Sequence, residues 1–165
     1  MYSAKFENSA KARVEDVDAS FKELVEVCKN IKGMNVDKAL NFLDEVIAGK
    51  RPVRFYSHNK KMAHRRELGG KKGRYPKKAA KIVKQVLFNA LSNARHKNMA
   101  EDKLVVVHAT ANKKRSYARL QPKGRRSRHD YETARVEIIL IEKVEVKEVN
   151  KENKKEAGKH GNEKH

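Results

Sequence analysis

The chain of 165 residues is long enough for one ordinary domain, and its 40 Lys and Arg against 21 Asp and Glu give a formal net charge of +19. No apolar stretch approaches the roughly 20 residues that a membrane-spanning helix needs, and a single Cys excludes an internal disulfide scaffold. Because no apolar signal-peptide core follows Met1, we expect a cytosolic protein.

The N-terminal part of the chain is predicted to form one strand and two helices. The strand covers residues 10–17 (AKARVEDV). A first helix, with a capping box at Ser20 and Glu23 and with Gly33 beyond its end, has one apolar face: Phe21, Leu24, Val25, Cys28 and Ile31. A second helix, between an N-cap at Asn35 and a stop at Gly49, repeats the spacing: Val36, Ala39, Leu40, Leu43, Val46 and Ile47.

A third helix with a wide apolar face follows an aperiodic segment. Residues 50–74 show no periodicity, and their cluster of three glycines indicates flexibility. Pro76 suits the first turn of the next helix, where a missing N–H is tolerated. The apolar face of that helix is formed by Ala79, Ile82, Val83, Val86, Leu87, Ala90, Leu91 and Ala94.

Two β-rich runs, residues 104–107 and 136–141, flank almost 30 residues without an apolar run. Because a structureless loop of that length is uncommon in a domain, we predict a long hairpin that turns within residues 121–124. Symmetric pairing then sets Leu104 opposite Ile141 and Val106 opposite Ile139. The outer part, residues 108–135, has nothing apolar to bury and would carry its tip on the order of 40 Å outward. We expect it to order only against a partner.

These elements predict an α+β fold in which three helices pack on a small antiparallel β-sheet and a long β-hairpin protrudes. A single domain covers residues 1–146, with an insert at 50–75 and the extended hairpin at 108–135. Residues 147–165 are rich in Lys, Glu and Asn and are predicted to be a disordered charged tail.

No pattern indicates catalysis or a bound metal. Cys28 lies on an apolar helix face, which favours a buried structural thiol. His58 and His64 lack the paired Cys and His spacing of a zinc site. Asp44 and Glu45 are adjacent and point in different directions on their helix, which favours a solvated face. We therefore expect no cofactor, no metal and no enzymatic activity.

The positive charge is concentrated in two segments. Residues 50–78 hold 12 basic residues and one acid, and residues 113–128 hold eight basic residues and no acid, so the rest of the chain is neutral. Lys and Arg bind phosphates, and alternate strand residues place cations on both faces of the arm. The candidate nucleic-acid-binding residues are Arg51, Arg54, Lys60, Lys61, Arg65, Arg66, Lys71, Lys72, Arg74, Lys77, Lys78, Lys113, Lys114, Arg115, Tyr117, Arg119, Lys123, Arg125, Arg126 and Arg128.

Cations on both faces of the arm favour its insertion between RNA segments, but three alternatives stay open at this point. The basic segments can be plain solubilising loops. An architectural DNA-binding protein with basic β-arms is the second, with Leu120, Gln121 and Pro122 as an apolar wedge at the tip. An RNA-modifying enzyme is the third, but the chain lacks paired acid and base residues or a cofactor loop.

Several motifs resemble ribosomal large-subunit protein family twenty-two, called protein seventeen in eukaryotes. Residues 73–80 (GRYPKKAA), with Leu87, Ala90, Asn93 and Ala94, resemble its central helix. Residues 31–36 (IKGMNV) resemble the junction of its first two helices, and residues 122–125 (PKGR) resemble its tunnel-reaching loop. The resemblance covers residues 9–141, and the basic insert is similar to the archaeal and eukaryotic form.

This resemblance implies a structural constituent of the large ribosomal subunit that binds rRNA and neighbouring ribosomal proteins. It implies no membrane or small-molecule partner and no homo-oligomer. The hairpin tip would line the nascent-polypeptide exit tunnel, and residues 113–115 and 125–128 would be RNA-clamping arms. The implied tunnel tip is Arg119, Leu120, Gln121, Pro122, Lys123 and Gly124.

Overall fold

Three helices cover one face of a three-stranded antiparallel sheet in the computed structural model, which describes residues 2–4 and 6–143. The elements in chain order are β1 Ala10–Val17, α1 Phe21–Ile31, α2 Val36–Ala48, β2 Val53–Arg54, β3 His64–Arg65, β4 Lys71–Arg74, α3 Lys77–His96, β5 Leu104–Tyr117 and β6 Tyr131–Glu142. The predicted α+β class and its three helices are confirmed. The predicted tail at 147–165 and domain end at 146 lie outside the described residues.

The main sheet has the strand order β1-β6-β5, so the predicted N-terminal strand is confirmed. Alternate residues of β6 point to opposite faces. Ile138 and Leu140 join the helices in the main core, whereas Ile139 and Ile141 are buried outside it. The chain before β1 contacts that second face, where the Ser3 N–H and hydroxyl both donate to Glu137 at 2.8 and 2.6 Å.

Glu137 is a buried charge on this second face of the sheet. Burial raises the pKa of Glu137, but the Ser3 hydrogen bonds and the nearby Arg135 guanidinium outweigh that effect and hold the pKa below its usual value. The Arg135 Nε atom lies 3.0 Å from the carboxylate. The carboxylate therefore fixes the N-terminal segment against the sheet.

The helix boundaries agree with their sequence signals, but two of the predicted side-chain caps are not formed. Gly49 ends α2 with a φ of 79°, where its missing Cβ avoids strain, as predicted. Ser20 and Asn35 hold the N-cap positions without a side-chain cap hydrogen bond, so the predicted capping box is wrong. The Asn35 backbone instead bridges to Val105 of β5. Pro76 is the N-cap of α3 and precedes its first turn.

The predicted hairpin is confirmed, but its predicted register is wrong by one residue at the base. Val105 pairs with Ile141 and Val106 with Leu140. Two irregularities then follow, between Val106 and His108 and between Lys113 and Ser116, and each adds one residue to β5. The chain reverses at Lys123 and Gly124, so the predicted turn within residues 121–124 is confirmed. Symmetric counting from the middle of that turn cannot detect bulges, which is why the pairing at the base was wrong.

The buried base of the hairpin extends further than predicted. Ala109, Ala111 and Ala134 are buried in the core, so the expectation that residues 108–135 bury nothing apolar is wrong at both ends. Single alanines spaced two apart do not form an apolar run, so the sequence did not indicate that they are buried. The exposed part of β5 begins at Asn112.

The insert forms a second small sheet of strand order β2-β4-β3, which the sequence did not predict. Val53 and Phe55 anchor this sheet because both side chains are buried in the main core. Two of its strands have only two residues each. Strands this short carry no measurable alternation, so the pattern of residues 50–74 resembled a flexible loop.

Replacing Gly73 with alanine is expected to destabilise the insert. A Cβ atom there would lie 2.5 Å from Leu68 Cδ1 and 2.6 Å from the Val53 backbone oxygen. Overpacking of this kind costs about 1–3 kcal/mol. The free energy of unfolding, measured by urea titration, should fall by that amount in Gly73→Ala. The surface change Ala63→Ser in the same insert should leave it unchanged, and equal losses in the two variants would contradict the steric explanation.

Candidate nucleic-acid interface

The tip of the hairpin carries exposed positive charge that is not paired with any acidic residue that the structure describes. Lys123 and Gly124 both have left-handed backbones, with φ of 67° and 69°, and reverse the chain there. The turn is closed by two backbone bonds: Gln121 N–H to Ser127 O at 3.0 Å and His129 N–H to Arg119 O at 2.8 Å. The tip cations are exposed and make no ion pair within the described part of the chain: Lys123, Arg125 and Arg126.

Below the tip, an aromatic and cationic stack joins the two strands. The Arg119 guanidinium lies 5.2 Å from the centre of the Tyr131 ring. Tyr131 in turn lies 5.9 Å from Tyr117, with the two rings inclined at 32°. Tyr117 is 46% exposed, so one end of this stack is open to a further planar group. Aromatic and Arg surfaces of this kind stack on unpaired bases.

The base of the arm is different, because its predicted RNA-binding cations are paired within the protein. Lys113 contacts Glu132 at 2.5 Å. Lys114 pairs with Glu15, and with Asp16 at 2.7 Å. Hydrogen bonds from Lys114 lower the pKa of both these carboxyls.

At the outer end of the arm, Arg128 pairs with Asp130 at 2.9 Å. The structure therefore places three predicted RNA ligands, at positions 113, 114 and 128, in internal ion pairs. The acids that pair with positions 113 and 114 lie in β6 and β1, outside the basic run itself.

Replacing Lys114 with alanine is expected to change RNA affinity less than the same change at Arg126. The Lys114 charge is already neutralised by two carboxylates, whereas Arg126 has no acidic partner among the described residues. A phosphate contact contributes about 0.7–0.9 to the slope of log affinity against log salt concentration. Filter binding to large-subunit rRNA at several salt concentrations should show a lower affinity, and a slope reduced by this amount, for Arg126→Ala but not for Lys114→Ala. Equal losses would show that Lys114 contacts phosphate.

In the insert, several predicted cations are held by neighbouring side chains. Arg51 contacts Glu45 at 3.2 Å and lies 5.0 Å from the Phe42 ring. Arg54 lies 4.4 Å from the Tyr56 ring, and Arg65 lies 5.4 Å from the Tyr75 ring. The others are at least partly exposed and make no ion pair with a described residue: Lys60, Lys61, Arg66, Lys71, Lys72, Arg74 and Lys77.

Asp18 connects the end of the first basic segment to the hairpin. Its carboxylate accepts a hydrogen bond of 2.8 Å from Lys78, which lowers the pKa of Asp18. The Tyr131 hydroxyl also bonds to Asp18, and this bond raises the pKa of Tyr131. The structure therefore brings the start of α3 and the hairpin together around one acidic residue.

Glu26 is a structural residue of the interface that the sequence reasoning missed. Its side chain is completely buried and accepts backbone N–H bonds from Tyr56 at 2.7 Å, Ser57 at 3.0 Å and His58 at 3.2 Å. Asn30 from the next turn of α1 donates to the Arg54 carbonyl at 2.9 Å. These bonds fix the insert to α1. The sequence carried no signal for this role, because Glu26 lies opposite the apolar face of α1, where a charged side chain normally faces solvent.

The residues considered for catalysis take structural positions. Cys28 is buried as predicted, and burial raises the pKa of its thiol to about 12. The His58 ring meets the edge of Phe21, and His64 contacts the Gly70 carbonyl. Residues 2–4 and 6–143 contain no group of three or more His, Cys, Asp or Glu that can hold a metal. Within the same residues, none of the helices has the length and apolar character needed to cross a bilayer.

Comparison with known proteins gives one consistent result. A family model described as ribosomal protein L22p/L17e matches residues 12–141. Large ribosomal subunit protein uL22 of Methanocaldococcus jannaschii is 40% identical over 139 residues, which cover 82% of this chain and 89% of the relative. The Archaeoglobus fulgidus protein of the same name is 40% identical over 134 residues, covering 79% and 86%. The Hyperthermus butylicus protein of that name is 38% identical over 142 residues, covering 82% and 91%.

Proposed function

Because the chain belongs to the ribosomal protein L22p/L17e family, we propose that it is a non-catalytic structural constituent of the large ribosomal subunit. It acts in the cytoplasm, needs no cofactor and does not form homo-oligomers. Its body binds rRNA and neighbouring ribosomal proteins, and its hairpin arm extends through the RNA. The observation that carries this proposal is the set of exposed tip cations, Lys123, Arg125 and Arg126, held at the end of a two-stranded arm.

The mechanism is electrostatic and geometric. Cations at the tip and on the insert displace counterions from phosphates, so binding should weaken steeply as salt concentration rises. The internal ion pairs of Lys113 and Lys114 brace the arm at its base without adding net charge there. Between the base of the arm and its tip, the stack of Arg119, Tyr131 and Tyr117 adds a surface on which an unpaired nucleobase can stack. Together these features favour an arm enclosed by RNA.

We propose further that residues 119–124 line the nascent-polypeptide exit tunnel. Leu120 is 69% exposed and Pro122 is also exposed, so the tip presents apolar as well as cationic groups. Deleting residues 119–124 should spare subunit assembly, because Arg125 and Arg126 remain. It should change nascent-chain stalling or the response to an inhibitor that binds in the tunnel. In vitro translation with wild-type and shortened protein tests this, and identical responses would contradict a tip at the tunnel wall.

An architectural DNA-binding role is the second candidate, favoured by the exposed Leu120 at the arm tip. Such proteins insert apolar wedges between base steps. Sedimentation of a cell extract through a sucrose gradient separates the two roles. The ribosomal proposal expects the full chain in the large-subunit fractions, resistant to DNase. Recovery only with DNA would overturn it.

A further inference from the structure

A nucleotide-sized cleft lies between the N-terminal end of α1 and the insert, away from the hairpin. Its volume is about 350 Å³, which is within the range of small-ligand sites. Buried Phe55 and half-buried Met62 give it apolar walls. Lys22, Lys60 and Arg74 also line it. The sequence reasoning assigned Lys60 and Arg74 to RNA binding but did not identify a cavity.

The lining matches the parts of one nucleotide. Lys60 and Arg74 are exposed and have no acidic partner among the described residues, so they can bind a phosphate. Phe55 and Met62 provide an apolar surface for a base. Glu23 also lines the cleft, and its carboxylate can accept from a 2′-hydroxyl or an amino group. A bare inorganic anion would leave the apolar and acidic walls unused.

The wall of the cleft is fixed before any ligand arrives. Ser57 and His58 both donate their backbone N–H groups to the buried Glu26 carboxylate. Lys29 donates to the Ser57 hydroxyl, and the Phe21 ring lies 5.8 Å from the His58 ring at an angle of 78°. A site held in this way loses little conformational entropy on binding, which favours specific recognition over loose attraction.

We propose that this cleft binds one unpaired nucleotide of the RNA partner, an inference that rests on the rRNA-binding function proposed above. Sequence-specific RNA recognition uses unpaired bases that leave the helix and enter protein sites. Lys61 and Lys72 in the same insert provide positive charge for the flanking phosphates. This favours a nucleotide within an RNA chain over a free mononucleotide.

The test is a methyl NMR titration of the full chain with labelled methionines. The probes are single-stranded RNA hexamers of each of the four bases, the four 5′-mononucleotides and inorganic phosphate. At least one hexamer should shift the Met62 methyl resonance, while the resonances of Met34 and Met99, which are partly buried outside the cleft, stay in place. That hexamer should bind at least tenfold more tightly than its mononucleotide, and phosphate should not shift Met62. No Met62 shift with any hexamer, or equal affinity for the mononucleotide, would overturn the proposal.

Variants separate the cleft from general electrostatics. Lys60→Ala with Arg74→Ala should weaken the Met62 response at least tenfold. Lys38→Ala with Lys81→Ala removes the same charge from exposed helix positions and should leave the response intact. Lys22→Ala is the second cleft variant, in case the first pair alters the insert fold. An unchanged response in both cleft variants would overturn the proposal.

Sedimentation of the same chains distinguishes this failure from failure of the proposed function. If wild-type protein enters large subunits but the Met62 resonance does not respond to RNA, only the proposal about the cleft is contradicted. Wild-type protein that does not enter large subunits would contradict the ribosomal role.

Discussion

Replacing Arg125 and Arg126 with alanine is expected to lower the affinity for large-subunit rRNA about 100-fold or more. Each side chain is exposed at the hairpin tip and has no acidic partner among the described residues, so each is available for phosphate. A hydrogen bond to a charged group is worth about 1.5–3 kcal/mol, which is about tenfold or more in affinity. The slope of log affinity against log salt concentration should also become shallower by about 1.4–1.8, which is the contribution of two phosphate contacts.

The matched control is the pair Lys38→Ala and Lys81→Ala, which removes two charges from exposed positions on α2 and α3. Filter binding over a range of salt concentrations should show nearly wild-type affinity for this control. Thermal unfolding should be unchanged in both double variants because none of the four side chains is buried. Equal affinity losses in the two double variants would mean that the tip is not the anchor.

Replacing Glu26 with alanine is expected to lower the free energy of unfolding by about 3 kcal/mol or more. Three backbone N–H groups, at Tyr56, Ser57 and His58, would lose their buried acceptor. Each donor left without a partner at this partly buried position costs about 1 kcal/mol or more. For a chain of this size, we expect the melting temperature to fall by about 6 °C or more. Differential scanning calorimetry of the full chain measures this loss.

Glu45→Ala is the control for the loss of a carboxylate, because the Glu45 side chain is about half exposed and pairs only with exposed Arg51 among the described residues. Exposed pairs of this kind are worth about 0–1 kcal/mol. Glu26→Ala should also weaken RNA binding, since the insert would no longer be fixed to α1. If the two variants have the same melting temperature, Glu26 does not hold the insert.

The helical part of the fold could be predicted because its signal is local. The apolar spacing in the chain predicted α1, α2 and α3, and Gly49 ends α2 as its position indicated. The strands of the main sheet were predicted for the same reason. Their register was not, because the two extra residues in β5 change the pairing without changing the apolar pattern.

The candidate interface could be predicted only as far as charge and order along the chain allow. The tip cations lie exposed, as the basic run indicated. The ion pairs of Lys114 could not be predicted, because its partners Glu15 and Asp16 are about 100 positions away in the chain and meet it only through the sheet. The cleft beside the insert was also missed, since its lining residues Lys22, Phe55 and Arg74 come from α1, the loop after β2 and β4, which meet only in the folded chain.

A density map of the native large ribosomal subunit containing this chain tests the central claim most directly. We expect Lys123, Arg125 and Arg126 to lie within hydrogen-bond distance of rRNA phosphates, with RNA on both faces of the arm. Lys114 should still contact Glu15 and Asp16. An arm lying on the subunit surface, with its tip in solvent and Lys114 on a phosphate, would contradict it.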